Sequence, residues 1–459
     1  MFCKFFRRIK MKSSVFPCLY LFFLLLFVPA HNVGAGDVLD LEATVKMGLE
    51  RNHSLQAVRE ALIGTEYGVK SARGAFGPRL STSYSYTRLD EAPSGMSLGN
   101  GIDPRTGERI TGSRNLWTMN FNIEQPLFTG FNILSNFERA KLGNEQARSQ
   151  FARAELELVL EIQNTFLDLL AAREAVRVSE DSLTRLRSHL TRSQSFYDVG
   201  LVPRLDLLQA QVDVAQAEQN LISAQNGVDN LTARLNMLLN LPLEKEVLYK
   251  GELEFLPFPF EFEECRDLAL KNRPDIFIAD KSVQIAMKDE KINASSFYPQ
   301  VGASFNYTRY GDDPSVSGTK LRDASEWRAG VQMQWTFFEW GRTYYGYKQA
   351  GQNTRQLMAE YENLVYTVVF EVKSSYLNIN ESRQRISVAR QGLEEAREGY
   401  RMADARYEAQ VGTSTDVLDA QARLSEAEAN LIRANADYMK ALAAIYSAMG
   451  QKNISLAGY

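Results

Sequence analysis

The chain has 459 residues, of which 45% are hydrophobic and 24% are charged. This is the balance of an ordinary folded protein, and it argues against a disordered one. The formal net charge of −4 at pH 7 argues against nucleic acid as a partner, because binding to phosphate backbones requires clustered basic residues.

The first 36 residues predict a secretory signal peptide. Five basic residues come first, and an apolar run from Val15 to Val28 follows. This run is shorter than the ~20 residues of a membrane-spanning helix, so an uncleaved anchor is the weaker alternative. Removing the segment takes the formal charge from −4 to −9 and leaves Cys265 as the single cysteine, which cannot form an internal disulfide.

The rest of the chain consists of two copies of one domain-sized unit. The segments "DLLQAQVDVAQAEQNLISAQNGV" at 206–228 and "DVLDAQARLSEAEANLIRANADY" at 416–438 are identical at ten of 23 positions, 210 residues apart. Such a period is too long for a solenoid repeat of ~20–50 residues. We therefore predict a first repeat at 37–240, a linker at 241–261, a second repeat at 262–450 and a C-terminal tail at 451–459.

Each repeat begins with a helical stretch, at 41–76 and at 262–297. The stretches end before Pro78 and Pro299, because proline cannot continue a helix. Both repeats therefore change from helix to another structure at the same place.

Four segments then alternate apolar and polar residues with period 2, which predicts strands at 79–88, 116–127, 300–309 and 326–337. One face is apolar with aromatic ends, as in a transmembrane β-strand, although a soluble sheet with one buried face alternates in the same way. The signal peptide and the hydrophilic hairpin loops favour the membrane. Four strands cannot close a barrel and lipid does not tolerate an open edge, so the chain must oligomerise. A dimer would supply eight strands and a trimer twelve, and the count alone does not choose.

Long helical runs without proline follow at about 131–200 and 342–411. At 1.5 Å per residue each run is a rod of ~105 Å, which must pack sideways against other helices. A shorter helix with a heptad seam of alternating large and small residues follows each rod, so we predict that the two pair as a coiled coil. The seams are Leu207, Ala210, Val214 and Ala217, and Val417, Ala420, Leu424 and Ala427.

The predicted fold is mainly α with membrane β: a long coiled-coil α-helical barrel and four strands per chain of a shared transmembrane β-barrel, internally duplicated. The helix turns "VGLVPRLDLLQAQ" at 199–211 and "QVGTSTDVLDAQ" at 410–421, with the strand–helix junctions "PLFTGF" at 126–131 and "TFFEWGR" at 336–342, resemble the TolC family of outer-membrane efflux proteins. The resemblance covers nearly the whole mature chain.

This resemblance implies a homotrimer with a twelve-stranded barrel in outer-membrane lipid and a helical tunnel in the periplasm. It implies that the tip of the tunnel docks a periplasmic adaptor protein and an inner-membrane pump. The function that follows is passive efflux without a reaction or a cofactor. One alternative is the outer-membrane duct of a type I protein secretion system. Another is a trimeric periplasmic scaffold or adhesin with a soluble sheet.

Carried across by position, the resemblance assigns Asp206 and Tyr407 to a latch at the tip. It assigns Asp416 and Asp419 to the narrowest point of the lumen, where rings of carboxylates attract cations. Gly412 stands where the best-known relatives have a latch-forming Arg. The residues implied to contact the adaptor are Val199, Gly200, Leu201, Val411, Gly412 and Thr413.

Each of these positions also has a plainer structural interpretation. Asp206 and Asp416 stand at helix starts, where Asp is a favoured N-cap. Tyr407 is of a type that packs in a coiled coil, and the turn glycines are of a type that ends helices. His53, His189 and Cys265 lack metal-ligand spacing, so we expect neither a metal nor a catalytic site. His189 lies in a polar helical stretch, and we expect it to be solvated.

Overall fold

A computed structural model of the chain describes residues 38–93, 102, 107, 111–253, 255–319, 323–454 and 456. The predicted signal peptide at 1–36 lies outside the described residues. The helices of the first repeat are α1 (Leu41–Arg51), α2 (His53–Gly74), α3 (Asn132–Asp198) and α4 (Arg204–Leu238). Those of the second repeat are α5 (Phe262–Asn272), α6 (Pro274–Ala294), α7 (Arg342–Glu408) and α8 (Ser414–Ala448).

The first helical stretch of each repeat consists of two helices. At the first break the Asn52 side chain accepts from the Leu55 N–H at 3.0 Å and donates to the Leu238 carbonyl at 3.0 Å. At the second break Arg273 is extended (φ −67°, ψ 122°), because the residue before Pro274 is disfavoured in the helical region.

The strands are β1 (Val38–Leu39), β2 (Arg79–Arg88), β3 (Asn115–Phe128), β4 (Leu248–Tyr249), β5 (Gln300–Gly311) and β6 (Ser325–Gln334). β1 and β4 form a short parallel pair, and the other four form an antiparallel sheet in the order β2-β3-β5-β6. The outer strands β2 and β6 each have one edge that no described strand pairs.

The register of this sheet places the apolar residues of all four strands on one face. Phe121 pairs with Tyr307, which pairs with Trp327 on the next strand. This face has no cover within the described chain, since Trp327 is 68% and Val331 70% exposed. A soluble sheet buries its apolar face, so the exposed face favours a membrane environment.

The long helices form two hairpins that lie side by side. α3 and α7 have 67 residues each, and α4 and α8 have 35 each, so the long rods extend for ~100 Å. α3 packs along α4, α7 along α8, and α3 also packs along α8. The lateral order is therefore α4-α3-α8-α7. The first seam is buried from Leu207 to Ala217, and Val417 and Leu424 are buried in the second.

Two residues with a left-handed backbone conformation join the sheet to each long helix. They are Gly130 (φ 62°) and Phe131 (φ 69°) before α3, and Trp340 (φ 50°) and Gly341 (φ 83°) before α7. The conformation repeats although the order of aromatic residue and glycine is reversed. Gly130 is also sterically required, because a Cβ there would lie 2.4 Å from the Ser295 carbonyl oxygen.

Candidate gate at the helix turns

Each hairpin reverses in a five-residue turn, at 199–203 and at 409–413. In the first turn Gly200 is left-handed (φ 76°). The N–H of Leu201 donates to the Phe196 carbonyl at 2.9 Å, which satisfies one of the free carbonyls at the end of α3. Gly200 thus has the helix-ending role that its residue type suggests.

The second turn has the same backbone with different residues. Gln410 is left-handed (φ 60°), and the N–H of Val411 donates to the Arg406 carbonyl at 2.9 Å. The plainer interpretation that Gly412 ends α7 is therefore wrong, because α7 ends at Glu408 and the left-handed residue that follows it is Gln410. Gly412 instead packs on the helix end, where a Cβ would lie 3.1 Å from the Arg406 Cβ.

The helices that leave the turns are capped by residues other than the predicted aspartates. Thr413 is the N-cap of α8: its hydroxyl accepts from the Asp416 N–H at 3.1 Å, and the Asp416 carboxylate accepts from the Thr413 N–H at 3.0 Å. The hydrogen bond from the Thr413 N–H to the carboxylate, followed by the effect of the Thr413 hydroxyl, lowers the pKa of Asp416. Pro203 is the N-cap position of α4, with Asp206 in the first turn. The interpretation of Asp206 and Asp416 as N-caps is therefore wrong, although Asp416 completes a capping box.

Asp416 and Asp419 lie three residues apart on α8 and so share one face of the helix. Both are exposed. Asp416 bonds only back to the turn, and no described residue bonds to the Asp419 carboxylate. The chain on its own therefore presents two exposed carboxylates, of which Asp416 is bonded only within its own capping box and Asp419 has no described hydrogen-bond partner.

Tyr407 is 2% exposed, and its hydroxyl shares a hydrogen bond of 3.0 Å with Ser193 Oγ of α3. Its ring packs on Phe196, with the centroids 5.5 Å apart. Asp206 is half-buried and makes no hydrogen bond to Tyr407. The structure therefore brings Tyr407 to α3, and it does not pair the two residues assigned to a latch.

His189 is 2% exposed rather than solvated. Its Nε2 lies 2.9 Å from Ser414 Oγ and 3.4 Å from Ser193 Oγ, and its ring packs on that of Tyr407 with the centroids 4.9 Å apart. The expectation of solvation is wrong because α3 turns this face toward the second hairpin. The i, i+4 spacing of His189 and Ser193, with Phe196 three residues further on, is the signal that marks this face.

We call His189, Ser193, Tyr407 and Ser414 the tip cluster. Each of its four residues is 2% exposed or less. Burial lowers the pKa of His189, and the nearby charge of Arg192 lowers it further, against the smaller opposing effects of Asp404 and Asp206. The imidazole is therefore neutral at pH 7.

Ion pairs further along the helices also join the two hairpins. Arg185 of α3 bonds to Glu428 of α8 at 2.9 Å and to Gln421 of α8 at 2.8 Å. Arg192 of α3 bonds to Asp404 of α7 at 2.8 Å. The side chains of Arg185 and Glu428 are 23% and 14% exposed, so they belong to the packed seam between the hairpins.

The turns themselves expose apolar side chains. Val199, Leu201 and Val411 are each more than half exposed, and Gly200, Gly412 and Thr413 lie between or beside them. Contiguous exposed apolar residues of this kind are typical of interaction surfaces. Among the described residues no three His, Cys, Asp or Glu side chains are arranged to hold a metal ion. Within the same ranges no helix is both long enough and apolar enough to cross a membrane.

A family model described as outer membrane efflux protein matches residues 44–241 and 265–451. The chain belongs to this family. The match divides at the same place as the internal duplication, so each repeat carries one copy of the family pattern. The resemblance to TolC proteins is thereby confirmed.

Individual relatives agree with the family. The alkaline protease secretion protein AprF of Pseudomonas aeruginosa is 25% identical over 392 residues, which are 82% of this chain and 77% of that protein. The outer membrane protein TolC of Vibrio cholerae is 23% identical over 363 residues, 78% of each chain. The CmeC outer membrane channel of Campylobacter jejuni has the same fold, with a TM-score of 0.78 at 18% identity over 89% of this chain and 85% of that one.

Fold and family together give the function in outline. The predicted fold, with long paired helices and four membrane strands in an internally duplicated chain, is confirmed by the solved channels that share it. This efflux family member is an outer-membrane duct with its helical part in the periplasm. Its family consists of channels rather than enzymes.

Proposed function

We propose that the chain assembles as a homotrimer that forms a passive duct for small-molecule efflux. In this proposal Asp416 and Asp419 narrow the duct at the helix turns, and the turns dock a periplasmic adaptor of an inner-membrane pump. The observation that carries the proposal is the apolar face of the sheet, which no described residues cover, together with the edges of β2 and β6 that no described strand pairs.

Those edges require partners because unpaired N–H and C=O groups in lipid cost several kcal/mol each. The β6 edge of one copy pairs with the β2 edge of the next, and three copies give the twelve strands that the family resemblance implies. The lateral helix order α4-α3-α8-α7 leaves α4 and α7 on the outer sides of each chain. Neighbouring chains therefore meet through α4 and α7, and the helices close into a tube continuous with the barrel.

At the turns the exposed carboxylates of Asp416 and Asp419 supply the selective charge. Three copies place two rings of three carboxylates one helical turn apart, which attract cations and repel anions. The exposed Val199, Leu201 and Val411 supply an apolar docking surface for the adaptor, with Gly200, Gly412 and Thr413 shaping it.

The test is single-channel conductance of the purified protein in a planar bilayer, beside the double variant Asp416→Asn/Asp419→Asn. Asn keeps an acceptor for the Thr413 N–H, so the capping box is retained while the charge is removed. The matched control is Glu426→Ala/Asp229→Ala, which removes two exposed carboxylates elsewhere on α8 and α4. We expect a cation-selective conductance that loses its selectivity only in the Asn variant.

An unchanged selectivity in the Asn variant contradicts the carboxylate gate. A protein mass of the purified oligomer that differs from three chains, after the bound detergent is subtracted, contradicts the trimer. If stable trimers show no conductance, and the Asp416→Asn/Asp419→Asn variant shows none either, the result supports the scaffold instead of the duct.

A second candidate is a duct for protein secretion. The specific observation in its favour is the 25% identity to a protein named for alkaline protease secretion. The two candidates separate in a deletion strain: loss of a secreted protein from the medium with unchanged sensitivity to toxic small molecules supports secretion. Increased sensitivity with an unchanged set of secreted proteins supports efflux.

A further inference from the structure

The tip cluster joins the two hairpins of one chain. His189 and Ser193 belong to α3, Tyr407 to the last turn of α7, and Ser414 is the first residue of α8. Hydrogen bonds of 2.9 Å from His189 to Ser414 and of 3.0 Å from Ser193 to Tyr407 cross the seam. The cluster therefore ties both sides of the second turn to the first hairpin.

The duplication shows that this chemistry is particular to one seam. At the offset of 210 residues, His189 corresponds to Gly399, Ser193 to Ala403 and Ser414 to Arg204. None of these three can reproduce the buried imidazole–hydroxyl contacts. The positions related to the cluster by the duplication thus lack the imidazole and its serine partners, so among them only the seam within a chain contains a histidine.

A neutral imidazole fits the site and a protonated one does not. Neutral imidazole has one donor and one acceptor, whereas the imidazolium has two donors. Nδ1 of His189 is buried without a hydrogen-bond partner among the described residues, so one of the two N–H donors of the imidazolium would be unsatisfied and its charge would be buried.

The charged groups around His189 come from three helices. Arg192 of α3 disfavours the imidazolium, while Asp404 of α7 and Asp206 of α4 favour it. Asp404 is already paired with Arg192 at 2.8 Å, and Asp206 is half-buried on the first hairpin. Burial is the largest of these effects, so together they hold the pKa of His189 below its ordinary value.

We propose that His189 is a positioning residue of the gate: its neutral imidazole holds the second turn against the first hairpin through Ser414, and its protonation releases that turn. The inference rests on the proposed function of a duct narrowed at these turns. When the second turn is released, the carboxylates of Asp416 and Asp419 move with it, because they lie in the first two turns of α8, directly after Ser414.

The direction of the pH response follows from linkage. His189 in the closed tip binds a proton less readily than a solvated His, whose pKa is about 6.5. Closure is therefore fully stable above about pH 6.5 and weakens as the pH falls below it. Each pH unit in that window shifts the opening equilibrium by up to about tenfold for each His189 that is released.

The experiment compares the conductance of the full-length native duct and of His189→Gln between pH 7.5 and pH 5. Gln can bond to Ser414 but does not titrate. We expect the open fraction to rise as the pH falls in the native protein and to remain constant in the variant. The Asp416→Asn/Asp419→Asn double variant keeps the response, because it retains His189. An equal pH response in native protein and His189→Gln overturns the proposal.

A distance measurement on a protein that keeps His189 makes the test independent of conductance. Spin labels are placed on cysteines introduced at the exposed positions Val199 and Val411, and labelled chains are diluted into unlabelled ones. We expect the distance between the labels to widen from pH 7.5 to pH 5.5. An unchanged distance overturns the inference on His189 whatever the conductance, whereas a widening tip without conductance overturns the duct and leaves the inference in place.

Discussion

Ser193 Oγ lies 3.0 Å from the hydroxyl of Tyr407, which bonds α3 of the first hairpin to the end of α7 in the second. Family resemblance assigns Tyr407 to a latch with Asp206, and the structure gives it a different partner. The tyrosine fixes the end of α7 from within the packed seam, and the half-buried Asp206 stays free of direct hydrogen bonds to it.

Tyr407→Phe should therefore loosen the tip. The variant keeps the ring packing but leaves Ser193 Oγ without this partner, at a cost of about 1–2 kcal/mol for a buried hydroxyl. The matched control is Tyr197→Phe, because Tyr197 lies 210 residues earlier and is 37% exposed. We expect a lower thermal midpoint and a higher open fraction for Tyr407→Phe only. Equal effects of the two substitutions would show that the hydroxyl contact has no special role.

Glycine should be the more stabilising residue at the left-handed position of both turns. Gly200→Ala forces a Cβ into a left-handed backbone with φ 76°, and we expect a destabilisation of about 1 kcal/mol. Gln410→Gly removes such a penalty at φ 60° and should raise the thermal midpoint. If Gln410→Gly lowers it, the Gln410 side chain makes a stabilising contact that outweighs the backbone penalty.

The junction at Gly130 should tolerate no side chain. A Cβ would lie 2.4 Å from the Ser295 carbonyl oxygen and 2.9 Å from the Tyr298 Cβ, so Gly130→Ala has to displace the segment between α6 and β5. The control is Gly143→Ala inside α3, where a Cβ meets nothing within 4 Å and helix propensity should stabilise by about 0.5–1 kcal/mol. Assembly yield and thermal midpoint distinguish the two. Normal assembly of Gly130→Ala would contradict the steric argument.

The ion pair between Arg185 and Glu428 should be coupled more strongly than a surface pair. Its side chains are 23% and 14% exposed, against 58% and 47% for Arg187 and Glu218. A double-mutant cycle with Arg185→Met and Glu428→Gln should give a coupling free energy of about 1 kcal/mol or more. The same cycle on Arg187 and Glu218 should give about 0.5 kcal/mol or less. Similar coupling free energies for the two pairs would show that the pair of Arg185 and Glu428 is no stronger than an ordinary solvated ion pair.

Cys265 should resist thiol reagents in the folded protein. It is fully buried in the core of the second repeat, and burial raises the pKa of its thiol to about 11. At pH 8 the thiol is inaccessible to reagent and is almost entirely protonated. An alkylating reagent should therefore modify Cys265 only after denaturation. The check is mass spectrometry before and after unfolding. Modification of the native protein would indicate local opening around α5.

The features of this fold that repeat over many residues could be predicted from the sequence. The absence of proline marks the long helices, alternation marks the strands, and the heptad seams of Leu207 and Val417 mark the pairing of each hairpin. Such features depend on local propensity and on patterns summed over many residues. The break at Asn52 could not be predicted, because it depends partly on a hydrogen bond to a carbonyl 186 residues away.

The site was harder to predict because its residues are placed by tertiary contacts. His189 has a polar local sequence, and its burial results from the packing of α3 against α7 and α8. Gln410 takes the left-handed position although glycine two residues later is the better candidate by residue type. Helix length fixed by packing overrides that local preference.

The sheet with its two open edges also has a consequence for genetics. A chain that cannot complete its barrel alone depends on every neighbour, so damage to one edge affects the copies that are intact. A copy with a disrupted β6 but a sound β2 would still be recruited by intact copies and would leave their ring open. Such an allele should be dominant over the wild type, whereas a mutation that prevents folding altogether should be recessive.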